Sequence, residues 1–224
     1  MKKSFHLAII IDGNRRWARK RVLPKSIGHR RGVENLKNLL PAFSANGITH
    51  LTVYALSTEN LRERSTSELK NLFREIERFA ADTEIFHKNG IRLQIFGKLT
   101  KFPASTKKVL RELSQGTKNH RQLNLNLALG YGGRDEIVRA AGQLAKSQKK
   151  ITEKSLAETL DSGAQPNPDL LIRTGGKKRI SNFLIWQLAY SELYFTEKMW
   201  PEFSEEELGK ALSWFRKQKR NFGK

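Results

Sequence analysis

His6-Leu7-Ala8-Ile9-Ile10-Ile11-Asp12-Gly13-Asn14-Arg15-Arg16-Trp17 passes in twelve residues from an apolar run to a polar turn. The run reads as a buried strand, and Asp12 stands where that strand ends and a helix can begin. Gly13 permits a tight turn close to a ligand. The backbone N–H groups that follow it can cradle phosphate oxygens. Arg16 and, further on, His29 can add charge-assisted bonds. Asp12 cannot touch a phosphate directly, because like charges repel. It makes sense there through a bridging Mg²⁺ or as an acid/base group. Taken alone, the turn reads more simply as a helix cap with solvated arginines. It is not a Walker loop, since no GxxxxGK[ST] occurs in the chain.

Working outward, apolar runs bounded by breakers recur at 5–11, 50–56, 91–96, 123–129, 169–172 and 192–195. Helical spacing of apolar residues fills the intervals at 29–45, 67–88, 104–114, 134–147, 152–160, 181–190 and 204–219, with Ser65 to Ser67 as caps for the second. Alternating strands and helices predict an α/β fold: a central, mostly parallel six-stranded sheet flanked by helices. In such sheets ligands sit beyond the carboxyl ends of the strands. Asp12, Ser57, Gly97, Tyr131-Gly132-Gly133 and Arg173 all fall just after strand ends, so the polar motifs share one rim.

The chain of 224 residues, 38% of them hydrophobic, is long enough for one buried core. It has no linker, repeat or low-complexity block and reads as a single domain over 1–224. Met1 to Asn14 has the outline of a signal peptide. Its apolar stretch is short, lacks a small-residue cleavage site and leads straight into Asp12, so it reads as a first strand. No apolar run approaches the ~20 residues that span a bilayer. The absence of cysteine excludes disulfides, thiolate zinc sites and cysteine nucleophiles, and agrees with a cytoplasmic setting. The net charge of +20 predicts an anionic partner: nucleic acid, acidic membrane or phosphorylated metabolite. Basic residues cluster from Arg15 to Arg31 and again from Arg216 to Lys224. No helix-turn-helix, RNP or zinc pattern accompanies them, which argues against nucleic acid.

Three further segments carry chemistry. Ser57-Thr58-Glu59-Asn60 follows a strand and precedes a capped helix; it suits phosphate binding and helix capping equally well. Arg173 to Asn182 sets Arg173 and Arg179 around a Gly175-Gly176 turn, with Ser181 at the start of an apolar helical pattern. Arginine forks read phosphate oxygens two at a time. Glu192 lies in Ala189-Tyr190-Ser191-Glu192-Leu193-Tyr194-Phe195, where a carboxylate needs an arginine or a metal as partner.

Together these segments resemble the cis-prenyltransferases, the family of undecaprenyl diphosphate synthase, from His6 to about Gly223. The likeness rests on Asp12-Gly13-Asn14 with Arg16-Trp17-Ala18, Gly28-His29 with Gly32, and Ser57 to Asn60. It extends through Asn126 with Tyr131 to Arg134, Arg173 to Gln187, and Glu192 to Pro201. The resemblance implies a homodimer of parallel-sheet subunits, each with a hydrophobic tunnel. It implies an enzyme that condenses isopentenyl diphosphate onto an allylic diphosphate, such as farnesyl or geranyl diphosphate, making a cis double bond at each step. The product would be a Z-polyprenyl diphosphate, the precursor of the undecaprenyl carrier lipid; a short-chain product and a non-catalytic basic partner or nucleic-acid-binding domain are the alternatives.

In this likeness Asp12 is the essential aspartate beside the diphosphates and Mg²⁺, and Glu192 helps place the metal. Asn60 matches a position assigned as proton acceptor; an amide is a poor base, so it reads as an orienting group, with the departing diphosphate receiving the proton. Gly13, Asn14, Arg15, Arg16 and His29 would hold the allylic diphosphate, and Arg173, Arg179 and Ser181 isopentenyl diphosphate. Trp17, Lys25, Ser57, Thr58, Glu59, Leu61 and Ile180 complete the substrate-binding set. Tunnel walls are expected from helix 67–88 and strands 91–96 and 123–129. Four positions depart from the bacterial pattern: Leu61 for Trp, Glu63 for Arg, Lys25 for Arg and Lys178 for His. A lipid product would also suit peripheral contact of the basic C-terminal tail with an acidic membrane surface.

Overall fold

The computed structural model describes residues 4–148, 150–163 and 165–219. The basic tail residues Arg220 and Lys224 lie outside them. In chain order the elements are β1 (His6–Ile10), α1 (Asn14–Lys20), α2 (Lys25–Ala45), β2 (His50–Ser57), α3 (Asn60–Glu63), α4 (Thr66–Ala81), α5 (Thr83–Lys88) and β3 (Ile91–Phe96). There follow α6 (Ala104–Gly116), β4 (Leu123–Tyr131), α7 (Gly133–Lys146), α8 (Glu153–Thr159), β5 (Leu170–Arg173), β6 (Glu192–Phe195) and α9 (Glu205–Arg216). The six strands form one sheet in the order β3-β4-β2-β1-β5-β6, and every pairing is parallel. All six strands fall where the apolar runs predict them.

β1 is buried along its whole length because both faces of the sheet are covered, one by helices and the other by the turns of 181–190. The period of two assigns the faces. Leu7, Ile9, Leu51, Val53, Leu125, Leu127 and Leu129 point into the larger core, under α2, α4, α6 and α9. Ala8, Ile10, Tyr54, Ala128 and Leu171 point into a smaller core closed by Phe183, Leu184 and Leu188. At the amino end of that second face His6 is fully engaged. One ring nitrogen donates to the Pro166 carbonyl at 2.6 Å, and the other meets Thr52 Oγ1 at 2.8 Å.

The helices depart from the sequence pattern in three places. Asn14–Lys20 is a separate helix, α1, ahead of α2. The segment 67–88 breaks at Asp82, whose ψ of 68° leaves the helical region and divides α4 from α5. Residues 181–190 form no helix but a series of turns. Ser181, Asn182 and Leu184 there adopt φ of +50°, +62° and +43°. Tertiary bonds impose this: Asn182 carbonyl accepts from Gly133 N at 2.7 Å, and its side chain bonds Arg134 N and Glu59 at 3.0 and 2.8 Å. The apolar residues that suggested a helix instead drop separately into the second core.

Candidate active site

The turn after β1 is built around a glycine that nothing else could replace. Gly13 has φ +114°, and a Cβ on it would lie 2.9 Å from Met199 Cβ. The Asp12 carbonyl is pinned by Trp200 N at 3.0 Å and Thr174 Oγ1 at 2.7 Å. Its carboxylate is therefore presented at a fixed place on the rim. Gly28 and Gly32, one turn apart on α2, let α1 approach closely: Cβ atoms there would lie 2.2 Å from Asn14 O and 2.5 Å from Asn14 Oδ1.

Asp12 joins the two basic segments. Arg16 Nη2 lies 3.1 Å from Asp12 Oδ1, and Arg173 Nη2 donates to Asp12 Oδ2 at 3.0 Å. Arg173 is only 4% exposed. Its other Nη donates to Ser181 Oγ at 2.7 Å and to the Arg179 carbonyl. The left-handed turn at Ser181 thus serves to aim a hydroxyl and a carbonyl at one guanidinium. Arg173 Nε, Arg64 Nε and Asn14 Oδ1 are buried at the site without a hydrogen-bond partner, as groups awaiting a polar ligand would be.

A cavity of about 880 Å³ opens at this rim and runs between the sheet and helices α2 and α4. At strand ends and helix starts its lining is polar: Asp12, Gly13, Asn14, Arg15, Arg16, His29, Ser57, Glu59, Asn60, Arg173, Arg179 and Ser181. Further along the same elements it turns apolar, with Val33 and Leu36 of α2, Leu72, Ile76 and Phe79 of α4, and Leu127 and Leu129 of β4. Strand 91–96, expected as a wall, contributes nothing to the lining. It is the sheet edge, two strands from β1's neighbour, and α2 takes its place.

Six expected residues do not line the cavity. Trp17 packs with Ala18 and Met199 behind α1. Lys25 is exposed at the start of α2. Thr58 bonds Glu59 at 3.1 Å, Leu61 packs on the main core, and Ile180 packs on the second. Glu192 stands at the start of β6. Ile10, Arg173 and Phe195 are level across β1, β5 and β6. Asp12 lies two residues beyond that level and Glu192 three before it, on the amino side. At ~3.3 Å per residue they are roughly 16 Å apart along the strands. Within one chain the fold keeps these two carboxylates apart along the strands.

The sequence reading also missed residues. Arg64, Tyr54, Glu63 and Asn182 line the cavity, and Glu68 stands directly behind it. Arg64 supplies a guanidinium next to the position where Glu63 replaces the usual arginine, while Arg62 points to solvent. The spacing Arg64–Glu68 beside the Ser65 cap was the available signal. Burial, reinforced by Arg64, lowers His29 to about 4, so it is neutral at pH 7. Burial opposes the charges of Glu59 and Glu68, but hydrogen bonds led by Asn182 for the first and the guanidiniums of Arg64 and Arg15 for the second outweigh it. Both carboxyls lie below their usual range.

An all-parallel α/β sheet thus carries at its carboxyl edge a cavity with a cation-rich mouth and an apolar interior. The family model of undecaprenyl diphosphate synthases matches residues 10–223. The isoprenyl transferase of Aquifex pyrophilus is 46% identical over 98% of this chain and 95% of its own length, and that of Neisseria gonorrhoeae 44% over 98% and 89%. Among solved structures, lavandulyl diphosphate synthase from Lavandula x intermedia, in complex with dimethylallyl diphosphate, superposes with a TM-score of 0.94. It is 35% identical and covers 98% of both chains. A probable undecaprenyl diphosphate synthase from Campylobacter jejuni gives 0.84 at 33% identity over all of both chains. The chain belongs to the undecaprenyl diphosphate synthase family and is an isoprenyl transferase.

Proposed function

We propose that the enzyme condenses isopentenyl diphosphate onto an allylic diphosphate, farnesyl or geranyl, with cis geometry, extending a Z-polyprenyl diphosphate toward the undecaprenyl carrier-lipid precursor. One observation carries this reading: a single cavity joins arginines and Asp12 at its mouth to an aliphatic interior between α2, α4 and β4. Gly13, Asn14, Arg15, Arg16 and His29 would hold the allylic diphosphate, and Arg173, Arg179 and Ser181 isopentenyl diphosphate. When the allylic C–O bond breaks, its electron pair leaves on the diphosphate, which the arginines stabilise. The isopentenyl double bond then attacks the allylic carbon, and the proton lost from isopentenyl goes to the departing diphosphate. Asn60, whose N–H is fixed to Ser57 Oγ at 3.0 Å, would orient the isopentenyl group. The apolar interior is the proposed tunnel for the growing chain, at about 0.8 kcal/mol per buried CH₂.

The chemistry of Asp12 fits Mg²⁺. That ion is commonly held by one or two carboxylates with substrate phosphates completing the shell, and among the described residues no group of three or more acidic, His or Cys side chains forms a protein-only cage. Mg²⁺ would supply further charge neutralisation on the leaving diphosphate. Glu192 could contribute only from a second copy of the chain. The homodimer is proposed on the open β6 edge that carries it, flanked by exposed Tyr190 and Leu193. Among the described residues no helix is long and apolar enough to cross a membrane. A cytoplasmic enzyme touching acidic lipid peripherally is the proposed setting.

The test is incubation with labelled isopentenyl diphosphate, each primer and Mg²⁺, followed by sizing of the product. A ladder reaching about eleven isoprene units supports the long-chain reading. A stop after one or two additions selects the short-chain alternative, and no condensation rejects the activity.

A further inference from the structure

Glu68 is an acid that the reaction does not use, yet three residues of the cavity mouth converge on it. Its Oε1 lies 3.3 Å from His29 Nε2, 3.3 Å from Arg64 Nη1 and 3.8 Å from Arg15 Nε. Those partners come from α2, from the link between α3 and α4, and from α1. All three line the cavity, whereas Glu68 does not. Its side chain is 11% exposed, so it is no solvated surface acid.

The local cause is the start of α4. Ser65 caps the helix by accepting from Glu68 N at 3.3 Å, which fixes the Glu68 backbone. The side chain then turns toward the cavity rather than along the helix surface. Arg15 and Arg64 repel each other, and burial already disfavours the Arg64 charge. Without a shared anion, two guanidiniums and a ring would not be held together against one wall.

We infer that Glu68 is a positioning residue for the diphosphate site: its carboxylate gathers Arg15, His29 and Arg64 into one rim and ties α4 to α1 and α2. The inference rests on the reading that this mouth receives a diphosphate. It places the effect on the allylic half of the site, since Arg173 and Arg179 make no contact with Glu68 among the described residues.

The experiment titrates inorganic pyrophosphate into the full-length protein by calorimetry, alongside steady-state kinetics. Glu68→Gln keeps the size and loses the charge. It is expected to bind pyrophosphate about tenfold more weakly, as loss of one well-placed charge contact implies. It should also raise KM for the allylic diphosphate by a similar factor while leaving KM for isopentenyl diphosphate within about twofold. Glu68→Asp, which retains the charge, should recover most of the affinity. Ser65→Ala, which loosens the Glu68 backbone but keeps its charge, should lower the melting temperature and weaken pyrophosphate binding less than Glu68→Gln does.

If the wild type binds pyrophosphate and Glu68→Gln binds it equally or more tightly, Glu68 is only a helix-start acid and the inference is overturned. Equal rises in both KM values overturn it as well. A wild type that binds no pyrophosphate removes the diphosphate reading beneath it.

Discussion

Asp12→Asn separates the role in turnover proposed for this carboxylate from its observed place as counter-charge to Arg173. The Asp12–Arg173 pair is 3.0 Å long, with the arginine side chain 5% and the aspartate 29% exposed. A fully exposed pair is worth up to about 1 kcal/mol, and breaking a fully buried one costs about 3–5 kcal/mol. Solvent reaches one side only here, so the loss should be about 1–2 kcal/mol. For a chain of this size that corresponds to roughly 3–6 °C in melting temperature. Turnover should fall by about 10²–10³-fold or more, the usual cost of deleting one transition-state charge contact. Scanning calorimetry and initial rates on the same preparation measure both. Arg173→Met should lower the melting temperature too, and the double variant should lose less than the sum of the two, because the orphaned charge is gone. An unchanged melting temperature in Asp12→Asn would show that the pair does not stabilise the fold. Near-normal turnover in a folded variant would remove Asp12 from the reaction.

Arg173→Ala and Arg179→Ala should each raise KM for isopentenyl diphosphate roughly 10- to 100-fold, as charge-assisted phosphate bonds worth about 1.5–3 kcal/mol require; equal effects on the allylic substrate would mean that the two anion sites are exchanged. EDTA should abolish turnover and Mg²⁺ restore it. Glu192→Gln should raise the Mg²⁺ concentration for half-maximal rate only under conditions where the protein is dimeric, checked by sedimentation. The same rise in a monomer would contradict the separation of Glu192 from Asp12. Burial depresses His6 to about 4 against an ordinary 6.5. The unfolded chain therefore binds the proton first, and the stability present at pH 7 is lost as the pH falls through that window, by about 2 kcal/mol at pH 5. His6→Gln should flatten part of this slope in urea titrations at pH 7 and 5, and an unaltered slope would show that His6 is not its source.

Much of this protein was legible along the chain. The inner strands are buried along most of their length and read as short apolar runs; the edge strands β3 and β6 are less buried but keep short apolar runs bounded by breakers, so all six strands could be read, and their alternation with helices dictated a parallel sheet. Parallel strands put their carboxyl ends on one rim, so Asp12, Ser57 and Arg173 could be placed together without coordinates. Gly13 announced a tight turn close to a ligand, whereas the close approach of α1 at Gly28 and Gly32 emerged only from the packing. Other features depend on contacts between distant residues. The segment 181–190 has helical spacing, but bonds from Gly133, Arg134 and Glu59 to Asn182 outweigh local propensity and force left-handed turns. Glu192 and Asp12 both follow the motif order, yet only strand register reveals that they stand at opposite ends of the sheet. The cavity wall belongs to α2 rather than β3 because sheet order, which no local pattern encodes, sends β3 to the edge. Glu68 looks like an ordinary first-turn acid in the sequence. Its pairing with Arg64 is local along the chain, but its place beside Arg15 and His29 exists only once α1, α2 and α4 have packed, since those partnerships are set by distance in space.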